Sequence, residues 1–217
     1  LRGSLMDENL LDIAGYTYND GNLNPSHSYL LPAVTQILAG IDFNGDKRIF
    51  ELGCGNGSVA DSLAGTGYTV TGVDPSTQAV RHAASCYPHL RISQGSAYDD
   101  LVFRYGQFPV VLSLEVVEHV YYPRKFAAVL HDLLLPGGTA VISTPYHGYL
   151  KNLVLSLFGK MDEHFTALWD HGHIKFWSVN SLRTLLEEVG FRDITFVRVG
   201  RVPPLAKSMI AIAKKGQ

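Results

Sequence analysis

Short apolar runs alternate along the chain with segments of helical periodicity. Five runs have the length and the β-branched content of strands and are bounded by turn formers, at 48–52, 68–73, 90–92, 108–114 and 139–143. Helices are predicted for Gly57 to Ala64, for Ser76 to Cys86, and from Pro123 to the turn at Pro136-Gly137-Gly138. The alternation predicts right-handed crossovers and an α/β, Rossmann-like, doubly wound sheet.

The end of the chain departs from this alternation. A helix is predicted for Ser178 to Val189, and strands for Ile194 to Val199 and Ser208 to Ala213. Because the seven residues from Gly200 to Ala206 are too few for a parallel return, these two strands must run antiparallel. We therefore expect seven strands, mostly parallel, with one antiparallel strand near the C-terminal end.

Composition narrows the class of protein. The 217 residues carry 18 Lys and Arg against 20 Asp and Glu, and this balance argues against a nucleic-acid binder. The segment 151–217 is locally basic, with 10 basic and 6 acidic side chains. It could face an anionic substrate or a membrane surface, although charges this dispersed usually decorate a solvated face. The sequence has two cysteines, no apolar run long enough to span a bilayer and no secretion signal. We therefore expect a cytoplasmic protein that starts at Met6 and is not integral to a membrane.

A glycine-rich turn follows the first predicted strand. The stretch is Ile49-Phe50-Glu51-Leu52-Gly53-Cys54-Gly55-Asn56-Gly57, and the next strand ends at Asp74. Missing side chains let the backbone approach a ligand closely, and a carboxylate at the end of the second strand can accept both hydroxyls of a ribose. A nicotinamide dinucleotide is disfavoured, because Ser58 stands where its motif has a third glycine and Glu51 would repel a diphosphate.

These residues resemble the class I S-adenosylmethionine-dependent methyltransferases. The family's loop reads acidic-x-Gly-x-Gly-x-Gly, which Glu51, Gly53, Gly55 and Gly57 match. The resemblance implies S-adenosylmethionine as cofactor, with Glu51 at its methionine end and Asp74 at its ribose. It further implies cofactor contacts by Pro75, Ser76, Ser96 and Ala97 near the adenine and by Leu114 and Glu115 at the wall toward the substrate.

The segment Glu115-Val116-Val117-Glu118-His119 is similar to one in the ubiquinone-pathway O-methyltransferases. If it turns helically, Glu115 faces both Glu118 and His119. The resemblance links such a set to a divalent metal, but a salt-linked helix start beside the cofactor pocket is the alternative, so the metal stays unassigned. That subfamily also has an Arg in the N-terminal segment, where this chain has none between Gly3 and Asp46.

Methyl transfer to a hydroxyl requires alignment and a base. The histidines best placed after strands are His119 and His147, and we predict that one of them is the catalytic base. His164, His171 and His173 lie in an insertion rich in aromatic residues, which we expect to be a lid or binding segment. In the resembled fold the N-terminal segment packs over the cofactor mouth, so the resemblance implies that Tyr18, His27 or Tyr29 covers the cofactor.

The sequence thus predicts a single methyltransferase domain. Its parts are an N-terminal cap segment (1–45), a cofactor-binding core (46–143), a helical, aromatic-rich insertion (144–177), and the last helix with the antiparallel strand pair (178–217). We expect O-methylation of a small-molecule acceptor. N- or C-methylation and a catalytically silent S-adenosylmethionine-binding subunit remain alternatives, and the oligomeric state is open.

Overall fold

The computed structural model describes residues 20–170 and 172–217. Seven strands form one sheet: β1 (Arg48–Leu52), β2 (Thr69–Asp74), β3 (Arg91–Gln94), β4 (Phe108–Leu114), β5 (Leu134–Pro145), β6 (Phe191–Val199) and β7 (Ser208–Lys215). Their order is β3-β2-β1-β4-β5-β7-β6, and β7 runs antiparallel to both of its neighbours. The predicted fold class, with its single antiparallel strand near the C-terminal end, is confirmed.

Helices cover both faces of the sheet. They are α1 (His27–Ala39), α2 (Ser58–Ala64), α3 (Thr77–Cys86), α4 (Leu101–Tyr105), α5 (Pro123–Asp132), α6 (Tyr149–Leu157), α7 (Met161–Phe165) and α8 (Val179–Glu188). One apolar cluster joins α4, α5 and α8 to the sheet, with Phe50 and Phe126 at its centre, and a second joins α1 and α2 to the other face. No helix of the described part is long and apolar enough to cross a bilayer.

The junction between α5 and β5 differs from the prediction. The Pro136-Gly137-Gly138 turn was expected to end the helix, but α5 ends at Asp132 and β5 already begins at Leu134. Leu134 pairs with Phe108, and a register shift follows before Thr139 pairs with Val110. The turn residues therefore form an irregularity inside the strand, with Gly137 at a φ of +75°.

The strand order creates a crevice at one edge of the sheet. The chain proceeds outward from β1 to β2 and β3, and then returns to the other side of β1 to add β4 and β5. At such a reversal the helices leave on opposite faces, and a cleft opens beyond the carboxyl ends of the strands. The residues singled out from the sequence after β1, β2 and β4 all lie at this edge.

Candidate functional site

A cavity of 400 Å³ lies at this crevice. Nine of the eleven residues predicted to contact the cofactor line it: Glu51, Gly53, Gly55, Asp74, Pro75, Ser96, Ala97, Leu114 and Glu115. The predicted base His119 also lines it, whereas Gly57, Ser76 and His147 do not. We call the part lined by Asp74, Pro75 and Ser96 the β2 side, and the part lined by Glu115, His119 and His173 the β4 side.

The glycine loop is shaped by left-handed backbone and close packing. Gly53 has a φ of +81°, and a Cβ at this position would lie 2.4 Å from Cγ2 of Val116. Gly57 also has a positive φ and begins α2, so it shapes the loop from behind the cavity. A positive φ and such close packing are tolerated together only by a residue without a Cβ, so these positions require glycine.

Asp74 braces this loop. Its Oδ2 accepts a hydrogen bond from the backbone N–H of Gly55, and its Oδ1 accepts one from that of Ser76, both at 2.9 Å. Ser76 is fully buried and caps α3 by accepting a hydrogen bond from the Ala79 N–H. The carboxylate therefore lies at the cavity wall with a fixed orientation.

Glu51 is a buried acidic residue in the cavity wall. It is 2% exposed, and its Oε2 accepts no hydrogen bond from the residues that the structure describes. Burial, followed by the nearby charge of Asp74, raises the pKa of Glu51 to about 8. A cationic group in the cavity would be attracted to this carboxyl and would favour its ionised form.

The N-terminal strap, residues 20–26, closes the cavity from outside. The side-chain amide of Asn56 donates to the carbonyls of Asp20 at 2.9 Å and Asn22 at 3.0 Å, and the hydroxyl of Tyr87 donates to the carbonyl of Gly21. Four consecutive residues at the end of the strap and the start of α1 line the cavity: Asn24, Pro25, Ser26 and His27. These four residues belong to the predicted N-terminal cap segment, whereas no role was predicted for Asn56.

The residues predicted to cover the cofactor do not all lie at the cavity. His27 lines the cavity, and burial lowers its pKa. Tyr29 lies farther along α1, where its hydroxyl is 3.3 Å from Oγ of Ser208. Tyr18 lies outside the described residues.

Glu115 ends β4 in a strained conformation. Its φ is +54°, and its backbone N–H donates to Ser143. Ser143 Oγ donates to its Oε1 at 2.7 Å, and Ser208 Oγ donates to its Oε2 at 3.4 Å. Burial raises the pKa of Glu115 to about 7, although these hydroxyls act in the opposite direction.

The residues after Glu115 form a turn rather than the helical segment considered from the sequence. Glu118 and His119 instead meet His173 of the insertion, and one donor atom from each of the three lies within 4.8 Å of the others. Burial and the charge of Glu115 raise the pKa of Glu118, and burial lowers the pKa of His173 to about 4.

The insertion is fastened to this turn. The backbone N–H groups of Ile174 and Lys175 donate to the Glu118 carbonyl, and the indole of Trp177 donates to the Val117 carbonyl at 3.2 Å. Trp169 packs edge-on against His119 with a centroid separation of 6.0 Å. The insertion thereby brings Trp169 and His173 to the cavity wall.

The donor set on the β4 side fits a metal ion, since it combines one carboxylate with two imidazoles. Such a set suits zinc and other first-row transition metals better than magnesium. Its members are Glu118, His119 and His173, and Glu115 is held by serines instead. The resemblance implied a set of Glu115, Glu118 and His119, whereas in the structure His173 takes the place of Glu115.

His147 lies beside the cavity wall rather than on it. Its backbone N–H donates to the Trp177 carbonyl, and its ring packs against Phe165, Phe176 and His164. Burial lowers the pKa of His147 to about 4. His171 lies outside the described residues.

Comparison with known proteins identifies the protein family to which this chain is similar. A family model described as a methyltransferase domain matches residues 26–195. The chain is similar to the ubiquinone biosynthesis O-methyltransferase of a Caulobacter species, with 36% identity over 52% of this chain and 46% of that protein. The enzyme of the same name from Thiobacillus denitrificans is 30% identical over 66% of this chain and 64% of that protein. The chain thus spans about half to two thirds of these relatives.

Solved structures share the fold. A methyltransferase described as putative from Bacillus halodurans superposes with a TM-score of 0.66 at 16% identity, covering 86% of this chain and 99% of that one. Human N-acetylserotonin methyltransferase, solved in complex with S-adenosylmethionine, gives 0.62 at 16% identity over 84% of this chain and 51% of that one. At this identity the likenesses show the fold alone.

Proposed function

Because the chain belongs to the class I S-adenosylmethionine-dependent methyltransferases, we propose that it methylates a hydroxyl oxygen of a small-molecule acceptor on the β4 side of its cavity. The observation that carries the proposal is a single cavity with an acidic wall near the glycine loop and an imidazole-lined wall after β4. The cofactor of this family is S-adenosylmethionine. The curated relatives named above are O-methyltransferases.

The residues near the glycine loop suit this cofactor. Glu51, whose Oε2 accepts no hydrogen bond from the described residues, would receive the ammonium group, and Asp74 at the cavity wall would accept the ribose hydroxyls. Gly53, Gly55 and Gly57 would let the loop pass close beneath the cofactor. Pro75, Ser76, Ser96 and Ala97 would surround the adenine, and Leu114 and Glu115 would separate the cofactor from the acceptor.

The cofactor supplies an electrophilic methyl group on a sulfonium. The protein has to align the acceptor oxygen with that methyl and to remove the hydroxyl proton. His119 would take this proton, because it lines the cavity next to His173 and its Nδ1 lies 3.2 Å from the Gly172 carbonyl. Trp169 and His173 would exclude water from the same side.

The first test is calorimetric titration with S-adenosylmethionine and S-adenosylhomocysteine, with NAD as the control. We expect binding of the first two alone. A screen of phenols, sugars and carboxylates, with the methylated atom identified by mass spectrometry and NMR, then tests the acceptor. Transfer to nitrogen or carbon, or cofactor binding with no turnover on any acceptor, would contradict O-methylation.

The base is tested by comparing His119→Asn with His147→Asn. A missing general base typically lowers kcat by about 10²- to 10⁴-fold, and we expect this loss for His119→Asn with S-adenosylhomocysteine affinity unchanged. His147→Asn is the matched variant off the cavity wall and should retain most activity. The reverse pattern would assign the base to His147.

A further inference from the structure

A second cleft opens on the outer side of the first cavity. Three tyrosines, Tyr98, Tyr121 and Tyr122, line it together with the ammonium groups of Lys125 and Lys175. Tyr98 and Tyr121 each contact Tyr122 edge to face, with centroid separations of 5.8 Å and 5.6 Å. We call this the tyrosine–lysine cleft.

The two lysines are positioned by the rings. Nζ of Lys125 lies 5.5 Å from the centroid of Tyr98, and Nζ of Lys175 lies 5.7 Å from that of Tyr121. Such cation–π contacts orient an ammonium group and leave its charge uncompensated. The third cation of the cleft, Arg124, is already engaged by Glu188 at 2.6 Å.

No carboxylate belongs to the lining of this cleft within the described residues. The acids nearest to Tyr98 in the sequence are turned to the backbone, since Asp99 accepts the N–H of Ser96 and Asp100 that of Phe103. The cleft is therefore locally positive on a chain whose net charge is −2. Tyr121 and Tyr122 are also 71% and 62% exposed, which leaves large apolar surface uncovered beside these charges.

The cleft and the first cavity share one wall residue. Tyr98 belongs to the walls of both. Lys175 follows His173 by two residues, and its N–H donates to the carbonyl of Glu118 at 3.0 Å. A ligand whose reacting group lies at His119 could therefore extend past Tyr98 into the cleft.

We propose that the tyrosine–lysine cleft binds an anionic group, a carboxylate or a phosphate, carried by the apolar or aromatic part of the methyl acceptor. This inference rests on the proposed function for the acceptor's presence and adds its chemical class. Two ammonium groups recognise the negative charge, and the tyrosine rings contact the adjoining apolar portion. Ion pairing at a partly exposed cleft contributes modestly by itself, so the rings and the charges are needed together.

Binding of three related probes tests the proposal without turnover. Phenyl phosphate, phenylacetate and neutral benzyl alcohol are each titrated into the S-adenosylhomocysteine complex and followed by NMR of the backbone amides. We expect saturable shifts at Tyr122 and Lys175 with the anionic probes, and an affinity about tenfold higher than for benzyl alcohol. The tighter anion identifies the acceptor's group as phosphate or carboxylate.

The double variant Lys125→Gln, Lys175→Gln should lose this preference for anions while retaining its melting temperature, since Lys125 is exposed, Lys175 is only half-buried, and glutamine keeps most of the length of both side chains. Lys47→Gln is the matched control, because this exposed lysine precedes β1 at the opposite edge of the sheet. Equal affinity for charged and neutral probes, absence of saturable binding, or a preference that survives the double variant would overturn the proposal. Lysine-dependent binding confined to vesicles of phosphatidylglycerol would also overturn it, in favour of a lipid surface.

Failure of the cleft proposal can be distinguished from failure of the proposed O-methylation. Lysine-dependent anion binding without methylation of any hydroxyl would contradict O-methylation alone. Methylation of hydroxyl acceptors with no effect of the two lysines would contradict the cleft alone.

Discussion

Glu51 and Asp74 are buried carboxyl groups on neighbouring strands, and their surroundings give them different roles. Both oxygens of Asp74 accept backbone N–H bonds, which hold the carboxylate in a fixed orientation. Glu51 has an oxygen that accepts no hydrogen bond within the described part of the chain, and burial raises its pKa to about 8. Glu51 is therefore the group whose charge should change when a cationic ligand enters.

We predict that S-adenosylhomocysteine binding releases a proton from Glu51. The ligand's ammonium group favours the ionised carboxyl, so affinity should rise as pH increases toward about 8, the pKa of Glu51 in the free protein. Glu51→Gln should remove this rise and weaken binding by about tenfold or more, on the scale of a hydrogen bond to a charged group. Calorimetry in two buffers of different ionisation enthalpy measures the proton count, and Glu163→Gln is the exposed control.

The same group makes stability depend on pH in the free protein. Because the folded-state pKa of Glu51 lies above the ordinary value of 4.5, its contribution to stability is intact below that value and is lost as pH rises to about 8. Glu51→Gln should flatten this part of the unfolding profile. A profile with the same slope in both proteins would show that Glu51 is already ionised.

At the residue scale, contacts within one short segment were predictable and contacts between distant segments were not. The left-handed glycines follow from a contiguous motif, because a turn between strand and helix imposes its demands locally, and Asp74 follows from the end of the next predicted strand. The pairing of His173 with Glu118 depends on how the insertion folds back, and α5, β5, α6 and α7 separate the two in sequence. His147 follows β5 as expected, yet its ring packs on Phe165 rather than in the cavity.

At the element scale, the N-terminal strap and the glycine loop form one unit. Asn56 is 3% exposed, and its Oδ1 accepts the N–H of Ser58 while its amide donates to the strap. This side chain occupies a variable position of the glycine motif, so the pattern gave no signal for it. Its role depends on residues far upstream.

We predict that Asn56→Ala loosens the strap over the cavity. Loss of two hydrogen bonds to backbone carbonyls, about 1 kcal/mol each in net terms, should speed S-adenosylhomocysteine dissociation by about five- to thirtyfold. Stopped-flow displacement measures the rate, and Asn180→Ala at the exposed start of α8 is the control. An unchanged dissociation rate, with the strap amides still protected from hydrogen exchange, would show that other contacts hold the strap.

Element boundaries set by the local sequence were predicted correctly, whereas a boundary set by pairing with distant strands was not. The bounds of β1 and β4 match the prediction, because buried runs of fixed length are flanked by turn formers. The prediction failed at Pro136-Gly137-Gly138, where pairing with β4 and a hydrogen bond from Gly137 to the Gly216 carbonyl draw a turn-like sequence into β5. Tertiary pairing overrides local preference there.

At the scale of the whole molecule, the cavity joins two sets of residues that are held independently. The β2 side is fixed by Asp74 and the glycine loop, and the β4 side by bonds from the insertion to the Val117 and Glu118 carbonyls. None of these bonds requires an ion. Metal occupancy and cofactor affinity should consequently be separable properties.

We predict that dialysis against EDTA leaves both the melting temperature and the S-adenosylhomocysteine affinity unchanged. Any ion held by Glu118, His119 and His173 would lie on the β4 side, whereas the cofactor would be bound chiefly through Glu51 and Asp74. Elemental analysis before and after dialysis reports whether an ion was removed. S-adenosylhomocysteine at about 100 times its Kd provides the positive control, because it should stabilise the fold by about 2.7 kcal/mol. A fall in melting temperature on dialysis, reversed by zinc and absent in His173→Ala, would instead show that an ion fastens the insertion to the core.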